Sequence, residues 1–247
     1  MNKRLAGKIA LVTGGSRGIG AAISRRLAAE GARVAFTYVR SAEKAEALAA
    51  EINASGGESI AIAADSADPQ QVTNAVNRTV TTFGGLDILV NNAGIYIGKA
   101  FEDHSLEDYE QIMAVNVRAV YVAAQAAVKH ISTGGRIITI GSNMADGSFG
   151  PQTTLYSMSK SALQGFTRGL ARDLGNKKVT VNVIQPGPID TDMNPANTEL
   201  ADFIRTRLPL SEYGTGEDIG GLVVFLASDE GKFITGAALT IDGGFNA

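Results

Sequence analysis

Tyr156 and Lys160, four residues apart, are the pair in this sequence best suited to moving a proton. A free phenol ionises near pH 10, too high for efficient exchange at neutrality. A neighbouring ammonium stabilises the phenolate and lowers that value. On a helix the i, i+4 spacing stacks both side chains on one face, about one turn apart. Ordinary helix faces show the same spacing by chance, so the pair needs company. Ser142 supplies some. It closes the apolar run GRIITIGS, and its hydroxyl can donate to an oxygen on which negative charge develops. The three groups suit protonation of an alkoxide formed when a ketone accepts a hydride. Asn116 lies inside the apolar run AVNVRAV. It reads either as a satisfied buried amide or as a part of the same chemistry.

A hydride needs a carrier, and the turn Thr13-Gly14-Gly15-Ser16-Arg17-Gly18-Ile19-Gly20 suits one. A strand, a glycine turn and a helix start present outward-facing N–H groups and the positive end of a helix dipole to a phosphate. Glycines allow the sharp bend and the close approach of a pyrophosphate. The spacing Gly14-x-x-x-Gly18-x-Gly20 is not the G-x-G-x-x-G fingerprint, and no G-K-[ST] follows. A tight turn without a ligand is the bland alternative. The second strand ends in Thr37-Tyr38-Val39-Arg40-Ser41, with no carboxylate at its tip. An acidic residue there would accept from ribose hydroxyls and repel a 2′-phosphate. Arg40 can instead fork to a phosphate and Ser41 can donate to it, with Arg17 as a second cation. The cofactor expected is NADP(H). The competing reading makes both arginines plain surface residues.

Alternating strand-like and helix-like segments must position these groups. Strands are expected at 8–13, 33–38, 59–64, 86–91, 136–140, 180–184 and 238–241. Helices are expected at 19–30, 42–55, 69–83, 105–131, 154–174 and 217–227, several of them closed by glycine or opened by proline. Residues 186–209 contain four prolines and little periodicity, as in a lid-like excursion with a short helix. Continuous apolar strands between helices imply an α/β fold, a doubly wound parallel sheet of the Rossmann type. About seven strands are expected, covered by helices on both faces. No linker or short repeat interrupts 1–247, so one domain is expected.

Composition narrows the function classes. Of 247 residues, 45% are hydrophobic and 19% charged, which excludes extended disorder. The net charge of −3 and the mixed signs offer no basic block for nucleic acid. The absence of cysteine excludes disulfides and thiolate nucleophiles. The only histidines, His104 and His130, are far apart, and no metal site is expected. No stretch approaches the roughly 20 apolar residues of a membrane span, so the cytoplasm is the default location.

The glycine turn looks like that of the short-chain dehydrogenase/reductase family. Asn91-Asn92-Ala93-Gly94, Asn116, Ser142, Tyr156-x-x-x-Lys160 and Pro186-Gly187 follow in the family's order and spread the resemblance over nearly the whole chain. Its closest flavour is the 3-oxoacyl-[acyl-carrier-protein] reductases, judging by TGGSRGIG, LDILVNNAG, GRIITIGS and TGAALTIDGG.

The resemblance implies a catalytic tetrad of Asn116, Ser142, Tyr156 and Lys160. Lys160 would also grip the nicotinamide ribose, and Asn116 would hold a water leading from Lys160 to solvent. The cofactor would meet Gly14, Ser16, Arg17, Gly18, Ile19, Gly20, Tyr38, Arg40 and Ser41. Asp65 and Ser66 would meet its adenine, and Asn92, Ala93 and Gly94 its ribose. Pro186, Gly187, Ile189 and Thr191 would meet the nicotinamide carboxamide. Residues 142–156 form a segment about one residue longer than is usual in the family.

Substrate contacts are expected from Ser142, Met144, Phe149, Tyr156 and Met193, with Ile95, Tyr96, Ile97 and parts of 194–210 around them. An apolar ketone, a β-keto ester or a 3-oxoacyl thioester would suit such walls. Arg205 or Arg207 could enter from the lid. Lys129, Arg168 and Arg172 are candidates to meet an acyl carrier protein. The alanine-rich helices at 105–131 and 154–174 would form interfaces of a homotetramer, and the apolar tail a second one. Two other functions stay open: a regulatory nucleotide-binding protein on the same fold, and a dehydrogenase working toward oxidation.

Overall fold

The computed structural model describes residues 3–247. Seven strands form one wholly parallel sheet. They are β1 (Ile9–Val12), β2 (Arg33–Tyr38), β3 (Glu58–Ala63), β4 (Leu86–Asn91), β5 (Ile131–Ile140), β6 (Thr180–Pro186) and β7 (Ala238–Ile241). Their spatial order is β3-β2-β1-β4-β5-β6-β7. The order reverses between β1 and β4, and doubly wound sheets open a ligand crevice beyond the carboxyl ends of strands at such a point.

Period-two alternation explains why the strand centres are largely apolar. Ala10, Val12, Val34, Phe36, Ile88, Val90, Ile138, Ile140 and Ile184 face one layer of helices. That layer is α1 (Gly18–Ala29), α2 (Ala42–Ala54) and α8 (Gly216–Ala227). Leu11, Ala35, Leu89, Ile137 and Val181 face the other. It comprises α3 (Pro69–Phe83), α5 (Ala119–Ala127) and α6 (Thr154–Leu174). With both faces covered, both sets of alternate residues are mainly apolar, and buried polar ones such as Asn182 and Arg136 bond to main-chain groups.

The expected long helix at 105–131 is three elements. Ser105 and Asp108 form a capping box that starts α4 (Leu106–Met113). A π-helical turn, Ala114–Arg118, follows, and then α5. Asn116 sits in the π turn, an element that often marks a functional site. The helix also ends before 131, because Ile131 pairs with Leu86 and opens β5. A register shift between Leu86 and Ile88 absorbs the extra residues of β5, and Gly134 there takes φ +80°. The lid-like excursion carries one short helix, α7 (Glu199–Arg205). Among the described residues, no helix is long and apolar enough to cross a membrane.

Candidate active site

The crevice between β1 and β4 is built by hydrogen bonds that join the two strand ends. Thr13 Oγ1 accepts from the N–H groups of Asn92 and Ala93, at 3.0 and 3.1 Å. Asn92 Nδ2 donates to the carbonyls of Thr13 and Gly14, at 3.0 and 2.9 Å. Thr37 Oγ1 accepts from Gly14 N at 2.8 Å and ties the turn to β2. Gly14 (φ +63°) and Gly18 (φ +50°) adopt left-handed conformations open to glycine. A Cβ on Gly20 would stand 2.2 Å from Gly14 O and 2.5 Å from Asn92 Nδ2. The glycines therefore serve both the bend and the clamp. The sequence places Thr13 at the head of the glycine turn and Thr37 in the strand tip but gives neither hydroxyl a role, since a β-branched residue is ordinary at a strand end.

The start of α1 fits a phosphate. Arg17, at its N-cap position, makes no side-chain cap, and no acidic residue sits in the first turn. Helices α3, α4 and α8 each begin with a side-chain cap. An uncapped first turn leaves its N–H groups and dipole for an anion. Arg40 is exposed at the end of β2, and the Ser41 hydroxyl makes no capping bond to α2, so both are open to a ligand. Arg17 is exposed and lies 3.9 Å from Asp192 of the lid. Gly18 touches the lid as well, since a Cβ there would be 3.4 Å from Thr191 Cγ2. Asp65 accepts through Oδ1 from Ala67 N at 2.8 Å, an ordinary turn contact. Ser66 is buried beside it, and Tyr38 is half-buried.

Four polar groups meet at the carboxyl ends of β4 and β5. Asn116 is 1% exposed and clasps the main chain of Ile95. Its Oδ1 accepts from Ile95 N at 2.9 Å, and its Nδ2 donates to Ile95 O at 3.0 Å. The same Nδ2 donates to Ser159 Oγ at 3.0 Å, and Ser159 Oγ donates to Tyr156 O at 2.7 Å. The amide is thus satisfied, and it also holds the β4 loop to the Tyr156 turn of α6. Lys160 Nζ donates to Ile140 O at 3.0 Å and lies 5.6 Å from the centre of the Tyr156 ring. Gly94 lies against both partners. A Cβ at that position would stand 3.4 Å from Lys160 Nζ and 3.5 Å from Asn116 Oδ1.

Burial sets the electrostatics. It pulls Lys160 down from 10.5 to about 8. It pushes the Tyr156 phenol up from 10.0 to about 12, while the Ser142 hydroxyl draws it down and Tyr96 adds to the rise. The i, i+4 spacing predicts instead that the lysine lowers the phenol. In the protein alone desolvation wins, since both groups give up water in the same crevice. A protonated phenol is still the stronger acid beside an alkoxide. Ser142 Oγ accepts from Met144 N at 3.2 Å, which leaves its proton to donate elsewhere.

The substrate side is partly open. Tyr96 packs edge-on against Tyr156 with ring centres 5.2 Å apart, and its hydroxyl donates to Gln152 O at 3.1 Å. Phe149 and Met193 are 38% and 57% exposed, and Met144 is half-buried. Gly187 packs against Asp242, and Ile189 belongs to the hydrophobic core. Pro186 closes β6 and pairs with Ile241 of β7. Arg205 is held inside the lid by Asp202, Ala196 and the Tyr213 ring, and Arg207 lies over Phe203. Neither arginine clamps the crevice. Arg168 and Arg172 lie 12 and 16 residues beyond Tyr156 on α6, about 18 and 24 Å along the helix. That places them far from the mouth. Lys129 precedes β5, at the opposite edge of the sheet.

Comparison with known proteins gives a consistent family. Residues 14–246 match the family model described as enoyl-(acyl carrier protein) reductase. A cyclic-di-GMP-binding biofilm dispersal mediator protein of Escherichia coli is 45% identical, over 98% of both chains. A probable tetrahydroxynaphthalene reductase of Zymoseptoria tritici is 40% identical, over 97% of this chain and 95% of its own. Among solved structures, a short-chain dehydrogenase from Burkholderia cenocepacia in complex with NADP superposes with a TM-score of 0.97 at 55% identity, covering 99% of this chain and 100% of its own.

Proposed function

This chain belongs to the short-chain dehydrogenase/reductase family, and we propose that it is an NADPH-dependent reductase of ketones with apolar bodies. A β-keto ester, a 3-oxoacyl thioester or a similar small ketone would fit. The observation that carries this reading is the meeting of Ser142, Tyr156 and Lys160 beside an uncapped, glycine-lined helix start.

The uncapped turn of α1 would hold the cofactor's pyrophosphate. Arg40, Ser41 and Arg17 would hold a 2′-phosphate, whose charge an acidic strand tip would repel. When bound, NADPH supplies the hydride that forms the new C–H bond. Ser142 would donate to the carbonyl oxygen, where the electrons of the C=O double bond collect. Tyr156 would give its phenolic proton to that oxygen, completing the alcohol. Lys160 would support the phenolate left behind. Asn116 would fix the Ile95 loop and α6 so that these groups keep their spacing. The same residues run in reverse would oxidise an alcohol.

Oligomerisation fits the same picture. Leu106, Tyr109 and Tyr121 on α4 and α5, and Met158 on α6, are apolar or aromatic and exposed. A hollow lined by Met113, Val117, Leu163 and Phe166 together with Glu110 and Arg118 lies beside Tyr109 and Tyr121. A second copy would cover this face, as a homotetramer requires.

A substrate panel with NADPH and NADH side by side tests the proposal. At least one ketone should be reduced, faster with NADPH. Tyr156→Phe should lower the rate by about 10²–10⁴-fold with NADPH affinity kept. NADPH binding without reduction of any ketone would refute it. That result would favour a second reading, a regulatory nucleotide-binding protein, which the name of the E. coli relative supports.

A further inference from the structure

Residues 242–247 follow β7 and turn back at the carboxyl edge of the sheet. Asp242 organises the turn. Its Oδ1 accepts from Gly244 N and its Oδ2 from Asn246 N, both at 3.0 Å. Phe245 N donates to Asp242 O at 3.2 Å. The base of the turn is wedged against the loop after β6, where a Cβ on Gly187 would stand 2.5 Å from Asp242 Cβ. The end of the lid is tied to it too, since Leu210 N donates to Gly243 O at 3.3 Å.

Held in this way, the segment reaches the residue after Ser142. Asn143 Nδ2 donates to Asn246 Oδ1 at 3.0 Å, and Asn246 Nδ2 donates to the Asn143 carbonyl at 3.1 Å. Asn143 is only 5% exposed whereas Asn246 lies at the surface, so this two-way contact is shielded from water on the Asn143 side. The adjoining residue, Phe245, meets Phe149 edge-to-face, with ring centres 4.5 Å apart and an interplanar angle of 74°. Aromatic pairs of this kind add favourable contact beyond the area they bury. The segment thus touches both ends of the wall that runs from Ser142 to Phe149.

We propose that Asn246 and Phe245 are positioning residues of the active site. Asn246 fixes the 3-10 turn Asn143–Ala145 and, through it, the aim of the Ser142 hydroxyl. Phe245 sets the place of Phe149, which meets the body of the ketone. The division follows from chemistry. Ser142 acts on the reacting oxygen, so its misalignment costs rate in the chemical step. Phe149 is an apolar wall, so its displacement costs substrate binding.

What this says about rate rests on the ketone-reductase reading, whereas the contact itself does not. Asn246→Ala, Asn143→Ala, the double variant and Phe245→Ala should be compared with the natural protein, using a small and a bulky ketone from the panel. Asn246→Ala should lower kcat by up to about tenfold, the loss of a two-way, partly buried polar contact, with KM nearly kept. Asn143→Ala should be milder, because Asn246 Nδ2 still reaches the main-chain carbonyl at 143, and the double variant should be about as slow as Asn246→Ala alone. Phe245→Ala should raise KM several-fold for the bulky ketone and leave the small one unchanged. NADPH affinity should stay within about twofold throughout, as positioning without cofactor contact requires. Hydrogen exchange should speed up at residues 143–149 in Asn246→Ala and not in the glycine turn. Unchanged kcat, or a parallel fall in NADPH affinity, would overturn the proposal. If the natural protein reduces no ketone, the reductase reading fails alone, and unchanged exchange at 143–149 would still overturn the contact's role.

Discussion

Replacing Lys160 with methionine should change how the stability of the cofactor-free protein depends on pH. Lys160 is 4% exposed, and burial lowers its pKa from 10.5 to about 8. Between those values the unfolded chain keeps a proton that the folded chain has lost. The unfolded state then binds more protons, so stability rises with pH. Below pH 8 both states are protonated and the folded one bears the cost of a buried ammonium. At about 1.4 kcal/mol per pH unit, the whole effect is about 3 kcal/mol, of which about 2 falls between pH 7 and 9.5. Tyr156 acts in the opposite sense, because its phenol is raised to about 12. That loss begins only near pH 10, where unfolded tyrosine ionises, so the window closes below it. Methionine also leaves Ile140 O without its donor, a cost of about 1–3 kcal/mol that does not vary with pH. Urea unfolding of both proteins, followed by circular dichroism across this range, isolates the lysine. The natural protein should gain about 2 kcal/mol relative to the variant as pH rises to 9.5. Parallel curves would refute the argument, because they would mean that Lys160 keeps its proton in the fold.

Two further substitutions probe the cofactor cradle. Gly20→Ala drives a Cβ into Gly14 O and Asn92 Nδ2. It should cost about 1–3 kcal/mol in thermal unfolding and weaken NADPH by about 100-fold or more; normal affinity would count against the clamp. Arg40→Ala should weaken NADPH about tenfold in a fluorescence titration and barely change NADH; an equal effect on both would remove Arg40 from 2′-phosphate selection.

Much of the molecule is legible in local pattern. Short β-branched apolar runs at β1, β2 and β4, bounded by turn residues, read as strands buried on both faces, and the helix stops at glycine are local as well. The glycine turn and the Tyr156/Lys160 spacing are local too. The break in the helix at 105–131 is not, because the groups that engage Asn116 there, the Ile95 main chain and Ser159, lie 21 and 43 residues away in the chain. Arg136 is, in the sequence, simply the first residue of a strand. In the fold it is buried and donates to Leu226 O and Ser228 O at the end of α8, and its lowered pKa follows from burial.

The opening pair shows the same division. The sequence by itself determined that Tyr156 and Lys160 share a helix face, because 3.6 residues per turn leave little alternative. It also determined which strands carry Ser142 and the glycine turn to one sheet edge. The tertiary structure decided the rest. It set the strength of desolvation, which raises the phenol and lowers the ammonium. It also brought Asn246 onto Asn143, 103 residues away in the chain. Burial and long-range contact depend on what the rest of the chain brings near, and no local spacing encodes that.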